Sequence, residues 1–366
     1  MRRARSRAAA VVAALLVAVT TPAGPAWADG VRDGQWMLGF LNLAEAHRYS
    51  EGAGVVVAVV DTGVDATHPD LVGNVLPGAD VEPGASGPGT TDVDGHGTAM
   101  AGLIAAHGHG PGNSRGLLGI APQATILPVK DGARSGSALV EAVDWATAHG
   151  AKVISISQAG EDAGLLEQRA IANAIAHDIV VVAGAGNIPG ASVEYPAAYP
   201  GVVAVAGVDQ HGNHGQDSIT GPEVVLSAPD IDIVDLALNH GYLTTSGTSN
   251  ATAMVAGAAA LVRARFPNLS ATEVVHRLTA TAIDRGPSGR DDVYGYGIVN
   301  LVGALTADVP PLATPSAPPD PTTRTPSATS SPPTGPSPWL IVGLGVVLVV
   351  VAALGLLLVA RRRTPG

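Results

Sequence analysis

Three side chains far apart in the chain, Asp61, His96 and Ser249, are of the types that together perform nucleophilic acyl transfer. A serine hydroxyl is a poor nucleophile until a neighbouring base takes its proton, and that base needs a third group to orient it. Ser249 stands in Thr244-Thr245-Ser246-Gly247-Thr248-Ser249, residues suited to a tight, hydrogen-bonded turn. From Asn250 the chain is dominated by Ala, Met, Val and Leu, which reads as a buried helix running to about Arg265. A serine at such a junction sits among unpaired amides at the positive end of a helix dipole. Those groups favour negative charge, as the oxyanion of a tetrahedral intermediate requires. Serine also caps many helices, so this stretch alone leaves both readings open.

Two further elements must bring the partners in. The run 56–60 is Val-Val-Ala-Val-Val, followed by Asp61-Thr62-Gly63. An unbroken apolar run of this length suits a strand buried on both faces of a parallel sheet, with Asp61 at its C-terminal edge. Open α/β sheets bind ligands at that edge. His96 stands between Gly95 and Gly97 at the start of a second apolar helix.

The order Asp61, His96, Ser249 is that of subtilisin, and the chain resembles the subtilisin-like serine proteases, or subtilases. The resemblance rests on Val60-Asp61-Thr62-Gly63, His96-Gly97-Thr98, Gly247-Thr248-Ser249 and Ala183-Gly184-Ala185-Gly186-Asn187. It implies a three-layer α/β fold with a mostly parallel central sheet flanked by helices. It also implies that Asp61 orients His96, that His96 activates Ser249, and that Asn187 donates into an oxyanion hole. Ser157, Gln158, Ala159 and Gly160 occupy the family's substrate-binding edge, which pairs with the substrate backbone as an added strand. Arg134 to Ser137 resembles the opposite edge. Ala159, where relatives carry glycine, narrows the cleft and implies a restricted substrate range. Glu194, before Tyr195-Pro196, stands where relatives place the floor of the S1 pocket, and a carboxylate there would attract Lys or Arg at P1; a solvated loop Glu is the competing reading. The chain departs from the pattern at Ala99, Asn250 and Ala253-Met254, where relatives have His, Met and Pro-His. If His96 keeps an ordinary pKa near 6.5, activity falls as pH drops below that value.

The ends of the chain bear on location. Arg2, Arg3, Arg5 and Arg7 precede an apolar run from Ala8 to Val19, and Ala26-Trp27-Ala28 offers a cleavage site, so residues 1–28 read as a signal peptide. The catalytic domain is then 29–308. Residues 309–338 hold eleven prolines in thirty positions, an extended spacer with a reach of about 90 Å. Residues 339–360 carry no charge over 22 positions, enough for a transmembrane helix, and Arg361, Arg362 and Arg363 in the tail 361–366 suit the cytoplasmic side. With no Leu-Pro-x-Thr-Gly sorting signal ahead of it, this helix is expected to remain as a single-pass anchor in the cell membrane with the catalytic domain outside. Only about 22 residues separate Asp29 from the Asp61 strand region, too few for a folding prodomain. There are no cysteines, so packing or bound ions must replace disulfides.

Between Asp29 and Asp308 there are 30 acidic and 12 basic residues, which argues against nucleic acid as a partner. The expected partner is a protein or peptide substrate. No cofactor or metal is expected: His107 and His109 lack further ligands nearby and read as a polar loop, His68 reads as structural, and no calcium loop is recognised. This architecture resembles the mycosins, membrane-anchored subtilases associated with type VII secretion, and so implies a secretion membrane complex as partner. The competing readings are a general surface protease, and a scaffolding component of such a complex whose proteolysis is secondary.

Periodicity adds a helix over 36–49, strands over 125–130, 152–157, 179–184, 202–208 and 223–227, and helices over 138–148, 162–177 and 271–282. The last opens with a capping box, Ser270-Ala271-Thr272-Glu273.

Overall fold

In a computed structural model of the chain, the residues described are 30–132, 136–160 and 163–312. The expected signal peptide, transmembrane helix and tail, the spacer from 313, and Arg134 and Ser135 lie outside them. Among the described residues no helix is long and apolar enough to cross a membrane.

The strands, in chain order, are Val56–Asp61 (β1), Ala79–Asp80 (β2), His107–His109 (β3), Arg115–Leu118 (β4), Thr125–Lys130 (β5), Val153–Ile156 (β6), Val180–Gly184 (β7), Val203–Val208 (β8), Val224–Pro229 (β9), Ile233–Ala237 (β10) and Gly241–Thr245 (β11). The helices are Gly30–Gly34 (α1), Trp36–Phe40 (α2), Leu43–Ala46 (α3), His96–Ala105 (α4), Ser137–Ala148 (α5), Leu165–Ala176 (α6), Thr248–Arg265 (α7), Ala271–Ala280 (α8) and Leu301–Thr306 (α9).

Seven strands form one sheet in the order β2-β5-β1-β6-β7-β8-β9, every neighbouring pair parallel. The sheet has a core on each face, and β1 shows why. Val57 and Val59 pack with Leu103 of α4 and Met254 of α7, while Ala58 and Val60 pack with Leu139 of α5 and Ile171 of α6. Alternate residues thus enter opposite cores, so a strand in the middle layer must be apolar throughout. Because the strands run the same way, Asp61, Ile156 and Gly184 end at one edge of the sheet, and the segments leaving that edge build the site.

Two short hairpins, β3–β4 and β10–β11, complete the strands. The first corrects the polar loop expected at His107 and His109. His109 Nδ1 meets Asp70 Oδ1 at 2.6 Å, and buried Asp70 also accepts from the Leu117 amide and the Tyr242 hydroxyl. The helix expected over 36–49 is also corrected. Asn42 takes a left-handed conformation (φ 50°) and divides it into α2 and α3, a conformation Asn tolerates better than most residues. The capping box at Ser270 and Glu273 is formed from both sides.

Candidate active site

Asp61 ends β1 and is 1% exposed. Its Oδ1 accepts from the Thr62 amide at 2.8 Å and faces His96 Nδ1 at 2.7 Å. His96 is the first residue of α4, with its side chain about one-third exposed and the ring open to the cleft. A proton on Nδ1, shared with the carboxylate, leaves Nε2 as the basic nitrogen.

The join between β1 and α4 is tight. A Cβ on Gly97 would lie 2.1 Å from Gly63 O and 3.1 Å from Asp61 Cβ, so only glycine allows helix and strand to approach this closely. Asp92 locks the join. Its Oδ1 accepts from Thr62 Oγ1 and the Gly95 amide, and its Oδ2 accepts from the Thr98 amide and hydroxyl. The one sequence signal that Asp92 carries is that of an acidic residue shortly before an apolar helix, a helix-start mark.

Ser249 lies in the first turn of α7, and the cap of that helix is Gly247 rather than the serine. No capping duty therefore holds its hydroxyl. Ser249 Oγ donates to Ser157 O at 3.2 Å, and Ser157 Oγ returns a bond to Ser249 O at 3.3 Å. His96 and Ser249 line the same cleft of about 610 Å³ without a hydrogen bond between them. Such contacts are often loose before substrate binds.

Asn187 follows β7 into the same cleft, and its Oδ1 accepts from the Thr248 amide at 2.8 Å. Since an amide N–H can only donate, this bond fixes which end of the Asn187 side chain is oxygen, and leaves Nδ2 as a donor on the other.

The 157–160 segment follows β6 on the other side of Ser249. Gln158 Nε2 donates to Asp131 Oδ2 at 2.6 Å. Gly160 pairs with Tyr195 in an antiparallel bridge, its amide and carbonyl bonding Tyr195 at 2.9 and 2.8 Å. Ala159 stands between them, with Glu194 held nearby by this bridge. Glu194 is 9% exposed, so it is no solvated loop residue, and its Oε2 would lie 2.7 Å from a Cβ on Gly186, next to Asn187.

Burial pulls the His96 pKa down, but Asp61, which faces it and bonds it, outweighs that, with help from Asp94 and Asp235; the value rises to about 9. The ordinary value expected from sequence is thus corrected. Asp235 of β10 is itself pushed up to about 7 by burial, against a hydrogen bond from Thr245 and the attraction of His96. It also lines the cleft, and nothing in the sequence pattern marked it. Among the described residues no group of three or more His, Asp or Glu side chains could hold a metal ion.

A parallel sheet whose edge gathers a serine, a carboxylate-bound imidazole and a cleft defines a subtilisin-like serine endopeptidase, and the chain belongs to the subtilase family, whose model matches residues 52–297. It is 38% identical to subtilisin DY of Bacillus licheniformis, over 69% of this chain and 92% of that one. It is also 33% identical to Mycosin-1 of Mycobacterium tuberculosis, over 91% of this chain and 86% of that one. Among solved structures, that of MycP1 with the N-terminal propeptide removed matches with a TM-score of 0.67 at 31% identity, covering 75% of this chain and 98% of that chain. The MycP3 protease from the type VII (ESX-3) secretion system matches with a TM-score of 0.64 at 32% identity, covering 77% and 91%.

Proposed function

We propose that the chain is a membrane-anchored, extracytoplasmic serine endopeptidase that cleaves through Ser249, His96 and Asp61, in association with a type VII secretion membrane complex. The observation that carries the catalytic part is the 2.7 Å contact between Asp61 and His96 in a cleft that Ser249 also lines. The kinship with Mycosin-1, and with MycP1, described as an essential component of the type VII (ESX-1) secretion system, supports the association. The anchor rests on the sequence of residues 339–360.

In this reading His96 Nε2 takes the Ser249 proton as Oγ attacks the peptide carbonyl, and then gives it to the leaving amine. Asp61 holds the tautomer and stabilises the imidazolium. Asn187 Nδ2 and the Ser249 amide receive the oxyanion, in keeping with the fixed orientation of the Asn187 amide. The acyl side of the substrate lies along Ser157, Gln158 and Ala159, because Gly160 spends its backbone bonds on Tyr195. Glu194 lines a separate cavity with Tyr195 and Glu223 and not the cleft of His96 and Ser249, so selection of Lys or Arg at P1 rests on the family resemblance alone.

The test is labelling of the full-length chain by a fluorophosphonate probe. Labelling that disappears in Ser249→Ala supports the reading, and labelling that survives it, or none in the native chain, ends it. Secretion is tested separately: a Ser249→Ala strain that secretes normally, beside a deletion strain that does not, makes scaffolding the main role.

A further inference from the structure

Asp235 has no part in the acyl-transfer scheme, yet it stands in the wall of the catalytic cleft. It is fully buried on β10, and its Oδ1 has no hydrogen-bond partner. Its Oδ2 accepts from the Thr245 hydroxyl on β11. Thr245 Oγ1 accepts in turn from Asn250 Nδ2 at 2.9 Å. Asn250 is buried and directly follows Ser249 in the first turn of α7. A chain of side-chain bonds thus runs from the carboxylate to the residue beside the nucleophile. It uses Asn250, one of the positions where the sequence departs from the subtilase pattern.

Such an arrangement is a poor way to stabilise a hairpin. A buried carboxylate with one oxygen unpaired is costly, and an apolar pair of similar shape would serve the fold as well or better. What an apolar pair could not supply is a direction for Asn250 and a negative charge facing His96. The charged groups facing His96 are Asp61 from β1, Asp94 from the turn before α4, and Asp235 from β10. The titratable group acting on Asp235 is His96 from α4.

We infer that Asp235 is a positioning residue for the catalytic centre: through Thr245 it holds Asn250 and the Ser249 end of α7, and its charge stabilises the imidazolium of His96. The inference rests on the triad reading above. The proton balance is that of the main reaction: the Ser249 proton moves to His96 Nε2 and on to the leaving amine, and Asp235 takes no proton in the cycle. The charge has two opposing consequences. It favours the imidazolium that forms as serine attacks, which raises the limiting rate. It also keeps His96 protonated to higher pH, which moves the acid limb of the profile upward. The burial-raised pKa of Asp235 is consistent with a carboxylate that is ionised where the enzyme works and not far below.

The experiment is the rate of fluorophosphonate labelling of the full-length chain between pH 5 and 10, which needs no knowledge of the substrate. Asp235→Asn keeps an acceptor for Thr245 and removes the charge. Its acid limb should move down by about half a pH unit or more, and its plateau should fall about threefold or more, so that the two profiles converge or cross toward low pH. A folded Asp235→Asn with an unmoved limb overturns the inference, because a merely structural loss lowers the whole profile without shifting it. If Asp235→Asn does not fold, Thr245→Val decides. A lowered plateau restored in Thr245→Ser supports the relay, and an unchanged plateau in Thr245→Val overturns it. Failure here is distinct from failure of the triad: in the first case the native enzyme is labelled and the limb stays put, and in the second Ser249→Ala is still labelled or the native chain is not.

Discussion

Asp61 Oδ1 and His96 Nδ1 meet at 2.7 Å, although 35 residues separate them along the chain. The contact exists because β1 delivers a carboxylate to the sheet edge and α4 starts there with a histidine, pressed against the strand across Gly63 and Gly97. Removing the carboxylate's charge while keeping its shape, as in Asp61→Asn, should leave the fold intact and lower kcat by about 10⁴-fold, since His96 loses its tautomer control. Active-site titration alongside kcat separates this loss from misfolding.

The same closeness makes Gly97 irreplaceable. In Gly97→Ala the new methyl would lie 2.1 Å from the Gly63 carbonyl, a backbone atom that cannot swing away. Strand and helix must separate, and a displacement of about 1 Å at the base should cost on the order of 10²-fold in kcat/KM. A Gly97→Ala enzyme with native kcat/KM would show that the join is slack.

Asn187→Ala removes the side-chain amide donor and leaves the Thr248 amide without its acceptor. The expected result is a fall of about 10²–10³ in kcat with KM little changed, the signature of a group that acts only on the transition state. Fluorophosphonate labelling should slow in parallel.

The raised pKa of His96 fixes the direction of the pH profile. The reaction needs neutral imidazole, so with a value of about 9 the activity should climb through neutrality, reach half its plateau near pH 9 and level off only above it. Stability runs the other way. A histidine raised above its unfolded value stabilises the fold fully below about pH 6.5, and that contribution is lost as pH rises through about 9. Measuring kcat/KM and Tm on the same buffers should therefore show one rising as the other falls.

Asp230 offers a stability test away from the reaction. It is buried, its Oδ1 has no partner, and burial together with Asp217 and Asp209 raises its pKa to about 7. A carboxyl whose folded value is raised disfavours the fold increasingly as pH climbs from its unfolded value through 7. Asp230→Asn should thus raise Tm at pH 8.5, by roughly 2–4 °C for each kcal/mol recovered, and have little effect at pH 3.5. An equal shift at both values would mean that packing, not ionisation, is responsible.

Much of this protein can be read from residue order alone. The apolar run ending at Asp61, the glycines around His96 and the turn before Ser249 mark element ends, because burial on both faces and tight junctions leave few residue types acceptable. The parallel strands and main helices come from the same periodicity, with boundaries displaced by a few residues at most. What the chain could not disclose locally depends on contacts between distant segments. Asn42 breaks a helix that its neighbours would continue; His109 finds Asp70 across 39 positions. Gly160 turns its backbone toward Tyr195, and Asp92 binds helix to strand. Asp235 looks like any acidic residue until folding buries it in the wall of the cleft that His96 also lines and couples it to Asn250. Residue types are local, but the desolvation and charge that set a side chain's chemistry come from whatever the tertiary structure packs around it.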